Sequence, residues 1–174
     1  MPRWSWIERT FRFDFPPEKF PDLLERWRGA PARIDERTRG LSDDVLCRRE
    51  RPGTWSIKEN VGHLIDLGYL ATTRLRQILE GVELLAAADM TNRATHSSSH
   101  NDKPIELLCR EFRHEREAAV RQFEAVSESD WGRSGIHPRL KQPMRIVDIL
   151  CFDSEHDDYH IARIGELRRL FAGL

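Results

Sequence analysis

The stretch Ile146-Val-Asp-Ile-Leu150-Cys-Phe-Asp-Ser-Glu155-His-Asp-Asp-Tyr-His160-Ile-Ala-Arg-Ile-Gly165-Glu-Leu-Arg-Arg-Leu170-Phe171 decides how the chain reads. Ile146, Ile149, Leu150, Asp153, His156, His160, Ile164, Leu167 and Phe171 recur every three to four residues, the spacing of one helix face. This stripe is apolar at both ends and polar in the middle, at Asp153, His156 and His160. Residues four apart share a face with Cβ atoms roughly 5–6 Å apart. Two imidazoles so placed can both reach one metal ion at about 2.0–2.1 Å. Polar groups on a buried stripe are costly unless paired, and a metal would satisfy both histidines. The competing reading is two solvated histidines on a charged helix; their place on the core stripe argues against it.

Three further helical stretches lie upstream. The first follows Phe15-Pro16-Pro17 through Phe20, Leu23, Leu24 and Trp27; Gly29-Ala30-Pro31 kinks or restarts it, and Ile34 and Leu41 continue its face. The second starts at Ser56-Ile57-Lys58-Glu59, which reads as a capping box. Ile57, Val61, Leu64, Ile65, Ala71, Leu75 and Ile78 then form one apolar face. The third begins near Asp102 and Pro104 and carries Ile105, Leu108, Phe112, Ala119, Phe123 and Val126. Residues 86–103 and 127–142 read as loops, and no segment shows strand alternation. The expectation is an all-α, up-and-down antiparallel four-helix bundle of about 30 Å, formed by residues 1–174 as a single domain.

The second helix offers a third histidine, His63, beside its apolar face. His63, His156 and His160 are the candidate metal ligands, His63 on the condition that the bundle register, which spacing cannot give, brings it level with the other two. Three neutral imidazoles leave coordination positions open, the condition of catalytic rather than structural sites. They also leave the charge of the metal uncompensated, so that it can acidify a water toward neutral pH or bind a thiolate. Imidazole suits Zn, Ni, Cu and Fe alike. Asp153 is a candidate for holding an imidazole tautomer or accepting a proton, with a salt bridge to another helix as the rival role. Glu59 is expected to be occupied by capping, and Asp157 and Asp158 to face solvent. His114, in a charged run, is expected to be solvated. His96 and His100 are expected to be mobile polar loop residues, with lining of the site as the rival role, and His137 to be a turn residue or part of a pocket rim.

Composition bounds the function. The 174 residues carry 28 Lys and Arg against 29 Asp and Glu, a net charge of −1, which disfavours a nucleic-acid-binding surface. No apolar run reaches the ~18–20 residues of a membrane span. Residues 1–14 lack the apolar block of a secretory signal. Cys47, Cys109 and Cys151 are odd in number and far apart, which predicts reduced thiols in a cytoplasmic protein. Trp4, Trp6 and Phe11 are candidates for a dimer patch or for a cover over the bundle's own core.

Over nearly its whole length the chain resembles the DinB-like superfamily. The likeness is carried by Glu8-Arg9-Thr10-Phe11-Arg12-Phe13, Phe20-Pro21, Gly29-Ala30-Pro31-Ala32-Arg33, Gly53-Thr54-Trp55-Ser56-Ile57-Lys58-Glu59, Gly62-His63-Leu64 with Asp66, His137-Pro138, Pro143-Met144 and Glu155-His156-Asp157-Asp158-Tyr159-His160. The chain departs from the pattern at Gly68, where an acidic residue is common, and at Arg163, where glutamine is common. The resemblance implies a bundle with a non-sequential helix order. It implies a divalent metal (Zn, Ni or Fe) on His63, His156 and His160, and a homodimer. It also implies either a thiol-dependent transferase using a low-molecular-weight thiol or a hydrolase, acting on a small electrophilic substrate. A non-catalytic metal- or ligand-binding bundle is the alternative.

Overall fold

The structure is a computed structural model and describes residues 4–173. Its helices are α1 (Phe20–Arg28), α2 (Ala30–Thr38), α3 (Asp43–Cys47), α4 (Ile57–Leu67), α5 (Tyr69–Leu79), α6 (Arg93–Ser97), α7 (Ile105–Glu124) and α8 (Ile146–Ala172). A hairpin of β1 (Ser134–His137) and β2 (Gln142–Arg145) precedes α8. The bundle has four rods: α1 with α2, α4 with α5, α7, and α8. The first rod is interrupted at Gly29, where Pro31 in the following first turn has no amide to continue the ladder. The second is interrupted at Gly68, where a Cβ would lie 3.0 Å from the Glu115 carboxylate and 3.3 Å from the Ile65 carbonyl.

Cross-rod contacts fix the directions. Arg26 pairs with Glu155 and Asp158, and Arg168 reaches the carbonyl of Glu36, so the first rod and α8 run parallel. Arg113 pairs with Asp35, and Arg116 reaches the carbonyl of Trp27, so α7 runs against the first rod. Asn60 meets His160 while Arg74 lies over Phe152, so the second rod runs against α8. Val61 and Leu64 share a core cluster with Leu108 and Phe112, and Ala71 and Leu75 share another with Ala119 and Val120. The second rod and α7 are therefore parallel. The first rod packs on α7 and α8, and so does the second, which makes the spatial order non-sequential. The expected all-α four-helix bundle is thus refined in one respect. Its second and third rods run in the same direction, because the connection across residues 80–104 is long enough to return along the bundle.

Two other expectations change. Residues 127–142 do contain strand: four residue pairs from Ser134↔Arg145 to His137↔Gln142 form the hairpin. Its alternation is short and interrupted by Gly135 and Pro143, which hides it in the sequence. The stretch 86–103 contains α6 and a turn of 3-10 helix at His100–Asp102.

The core has two apolar clusters. One joins α1, α5 and the end of α7 to the start of α8; the other joins α2, α4 and the start of α7 to the end of α8. The α8 residues 153–160 lie between these clusters, so its polar stripe occupies a layer in mid-bundle. Trp6 and Phe11 pack edge-on and tilted against Phe152, at ring separations of 5.1 and 4.9 Å, covering the bundle's own core; Trp4 stays exposed. The hairpin ties this N-terminal segment down: Gln142 donates to the carbonyl of Phe11 and Arg145 to those of Phe13 and Phe15. Among the described residues no helix is long and apolar enough to cross a membrane.

Candidate metal centre

The capping box that starts α4 forms as read. The Ser56 hydroxyl accepts from the Glu59 amide at 3.1 Å, and the Glu59 carboxylate accepts from the Ser56 amide at 2.8 Å. Glu59 also pairs with Arg49, so it is occupied at the helix end. The cap sets the rotation of α4, and two turns on it points His63 into the polar layer of α8. There His63, His156 and His160 come together, with one ring nitrogen from each within 4.8 Å of the others. His63 and His160 are each 4 % exposed, and His156 is half-buried.

Neighbouring groups decide which nitrogens face inward. The Asn60 side-chain NH2 donates to the Ser56 carbonyl at 2.7 Å, which turns its oxygen toward His160. That oxygen lies 2.9 Å from His160 Nδ1 and accepts its proton. His160 Nε2 is left as a lone pair, 3.2 Å from His156 Nε2. His63 Nδ1 lies 3.0 Å from the Thr95 hydroxyl. Thr95 lies beside Asp66, whose carboxylate is 2.9 Å from His100 Nε2. With its Nδ1 proton given to Thr95, His63 would also offer Nε2. Trp55 covers the cluster, its ring 4.5 Å from His63 and 5.9 Å from His160. Holding the far nitrogen of each imidazole is how proteins fix tautomer and ring angle at metal sites.

Electrostatics favour neutral rings. Burial brings His63 down to about 4, with only Asp66 working against it. Burial, aided by the charges of His63 and Arg116, holds His156 well below the ordinary histidine value. Neutral imidazole is the form that binds metal. Burial pushes Asp153 up to about 6, opposed by Arg74.

The cluster opens on a cavity of about 540 Å3 whose walls include Trp6, Trp55, Arg74, His137, Phe152 and Asp153. This is the size range of a small-molecule site. Asp153 lines it beside Arg74, while the hydrogen bonds that orient His160 and His63 come from Asn60 and Thr95.

Several expectations are corrected. Asp157 is buried, not solvated: Arg116 donates to both its oxygens, at 2.5 and 3.1 Å. Asp158 is half-buried and pairs with Arg26 and Arg33. His100 is 2 % exposed and lies 2.9 Å from the Asp66 carboxylate, rather than being a mobile loop residue. His137 is a turn residue and lines the cavity as well. His114 is exposed as expected, and exposed His96 sits 6.0 Å from the Trp55 ring. Reading the sequence missed Asn60, Thr95, Asp66 and His100 as supports of the cluster. Asn60 carried a faint signal, a polar residue one turn before His63 on a capped apolar helix, and Asp66 stood among the residues that carry the family likeness; Thr95 carried none.

Comparison with known proteins places this geometry. The chain is 27% identical over 163 residues to a Bacillus licheniformis protein named "Putative metal-dependent hydrolase", covering 90% of this chain and 92% of the relative. It is 25% identical over 157 residues to a Geobacillus thermodenitrificans protein of the same name, covering 89% and 87%. Its fold matches YfiT from Bacillus subtilis, described as a probable metal-dependent hydrolase with an unusual four-helix bundle topology. That match has a TM-score of 0.79 at 18% identity over 95% of this chain and 94% of YfiT. It also matches a mycothiol-dependent maleylpyruvate isomerase with a TM-score of 0.68 at 13% identity, over 90% of this chain and 63% of the isomerase. The family model described as the DinB superfamily matches residues 26–164, and the chain belongs to that superfamily.

Proposed function

We propose that this protein is a metal-dependent enzyme in which His63, His156 and His160 hold a divalent transition metal at one wall of a cavity for a small electrophile. The observation that carries the reading is the convergence of three ring nitrogens within 4.8 Å while Asn60 and Thr95 engage the far nitrogens of two rings. The donor set fits a divalent ion: three neutral imidazoles, with His160 held by Asn60 in the tautomer that leaves no proton on Nε2. When bound, such an ion supplies Lewis-acid activation of a water or a thiol near neutral pH. The protein's own residues do the rest. Asn60 and Thr95 hold the ligand rings, Trp55 and Trp6 shield them, and Asp153 stands at the cavity wall with a carboxyl poised to exchange a proton near pH 6.

Hydrolysis has the support of the names carried by the two sequence relatives. Transfer of a low-molecular-weight thiol has the support of the fold shared with the mycothiol-dependent isomerase. Paired assays separate them. Metal-dependent conjugation of a thiol to an electrophile such as monochlorobimane supports transfer, and ester or amide cleavage with no thiol present supports hydrolysis. Bound metal with no turnover in either assay supports a non-catalytic metal-binding bundle.

A further inference from the structure

The wall of the cavity next to the histidine cluster gathers positive charge that the chain does not neutralise. Arg74 is 2 % exposed and donates through Nε to the carbonyl of Ala86 at 3.1 Å. Arg139 donates through Nη1 to the carbonyl of Ile7 at 3.0 Å, while its Nη2 is buried and has no hydrogen-bond partner among the described residues. Neither guanidinium has a carboxylate within 4.0 Å among the described residues, though Asp153 attracts Arg74 from beyond that distance. The other cavity arginine, Arg116, is fully paired with Asp157.

His137 joins them. Its Nδ1 accepts from the amides of Arg139 and Leu140, both at 3.2 Å, so the ring proton must sit on Nε2. That Nε2 is buried, unpartnered among the described residues, and belongs to a ring that is 2 % exposed and lines the cavity. All three groups pack around one side chain. The Phe152 ring lies 5.9 Å from the Arg74 guanidinium carbon, 5.5 Å from that of Arg139 and 5.0 Å from the His137 ring. Phe152 is one helical turn before His156, about 6 Å along α8.

Burying a guanidinium without a carboxylate is costly, and placing two near each other more so. Each lowers the proton affinity of His137, and Arg74 lowers that of Arg139. A bound anion offsets this cost. Of the lining carboxylates, Asp157 is taken by Arg116 and Asp89 accepts from the amides of Thr91 and Arg93, while Asp153 offsets part of the charge of the two arginines, which suits a singly charged group better than a phosphate dianion.

We infer that Arg74, Arg139 and the Nε2–H of His137 form a carboxylate-binding subsite, and that the enzyme's substrate or co-substrate is a small carboxylic acid. The carboxylate would bind there, with the reacting atom about one helical turn away at the histidine cluster. This deepens the proposed function and rests on the cavity being its substrate site.

Benzoate is the probe and benzamide its uncharged counterpart, each titrated calorimetrically into the full chain both metal-loaded and after chelation. Benzoate is expected to bind at least tenfold more tightly than benzamide in both forms. Arg139→Gln is expected to remove at least tenfold of that affinity while leaving metal content unchanged, and Arg74→Gln to do the same. Should buried Arg74→Gln fail to fold, the half-buried Arg139→Gln and a His137→Phe variant carry the test. Equal binding of the two probes, or full benzoate affinity in Arg139→Gln, overturns the subsite. So does a benzoate preference that vanishes on chelation and in His160→Ala, which would put the anion at the histidines and leave the metal reading intact. Benzoate binding through Arg139 in a chain that takes up no metal would keep the subsite and overturn the metal reading.

Discussion

Two buried polar clusters meet the same stretch of α8, and they differ in whether they are complete. Asp157 faces Arg116, whose guanidinium donates to both carboxylate oxygens and to the carbonyl of Trp27. Its flat face also lies 4.2 Å from the Trp27 ring centroid. Both carboxylate oxygens of that pair are engaged, by Nη1 and Nη2 of one guanidinium. One residue earlier, His156 meets His160 and His63: Thr95 and Asn60 hold the outer nitrogens of His63 and His160, and the Nε2 atoms of His156 and His160 lie 3.2 Å apart. One ring nitrogen of each histidine faces the others, and the Nε2 of His160 there carries no proton. A closed polar cluster holds the bundle together, whereas an open one needs something from outside.

The sharpest way to break this comparison is to open the closed cluster. Arg116→Met leaves Asp157 buried and uncompensated, at an expected cost of about 3–5 kcal/mol in urea unfolding of the metal-free protein. Arg116→Met with Asp157→Leu should recover most of that loss. A near-silent single variant would show that the pair is not structural.

The next effect links the two regions through packing. A Cβ at Gly62 would lie 2.2 Å from the His100 ring, so Gly62→Ala must push His100 off Asp66. Overpacking of this kind costs roughly 1–3 kcal/mol. Because Asp66 lies beside Thr95 and Thr95 holds His63, metal affinity should fall with stability, read by competition with a chromogenic chelator.

Asn60→Ala removes the group that fixes His160. Loss of such an outer partner typically lowers metal affinity about 10–100-fold. His160→Ala removes the ligand itself and should abolish stoichiometric binding. Unchanged affinity in Asn60→Ala would mean that His160 does not bind through Nε2.

A smaller effect is the pH dependence of the metal-free protein. His63, His137 and His156 have folded-state values below the unfolded 6.5, His63 at about 4 and His137 at about 3. As pH falls below 6.5 the unfolded chain therefore takes up protons that the folded chain refuses, and stability falls. Asp153, raised to about 6, acts in the opposite direction below that pH and offsets one of the three. Urea midpoints should drop between pH 7 and pH 5; a rise would show that the imidazoles are not held neutral. Exposed His114 sets the lower limit: His114→Ala should change stability by less than about 0.5 kcal/mol.

Much of the bundle was legible because its signals are local. The Ser56–Glu59 capping box, the break at Gly29-Ala30-Pro31 and the apolar ends of the α8 stripe each act within a turn or two. His156 and His160 were legible as a pair because four-residue spacing on one helix is itself geometry; His63 was legible as a histidine of the second helix, but its register with the pair was not. What joins separate elements was not. Asp157 reads as one more acid in a charged run until Arg116 arrives from a helix 41 residues away. Thr95 and His100 sit in a polar stretch with no periodicity, and only the folding of residues 80–104 along the bundle brings them to His63. The same long connection sets the parallel second and third rods, which no helix pattern can state.

Metal content tests the account most directly. The full chain, purified without a histidine tag and without added chelator, should carry about one equivalent of a divalent transition metal by elemental analysis, or take one up on titration. His160→Ala should carry almost none. Less than a tenth of an equivalent in the parent chain, with no uptake of zinc, nickel or iron on titration, would contradict the reading of His63, His156 and His160 as a metal site.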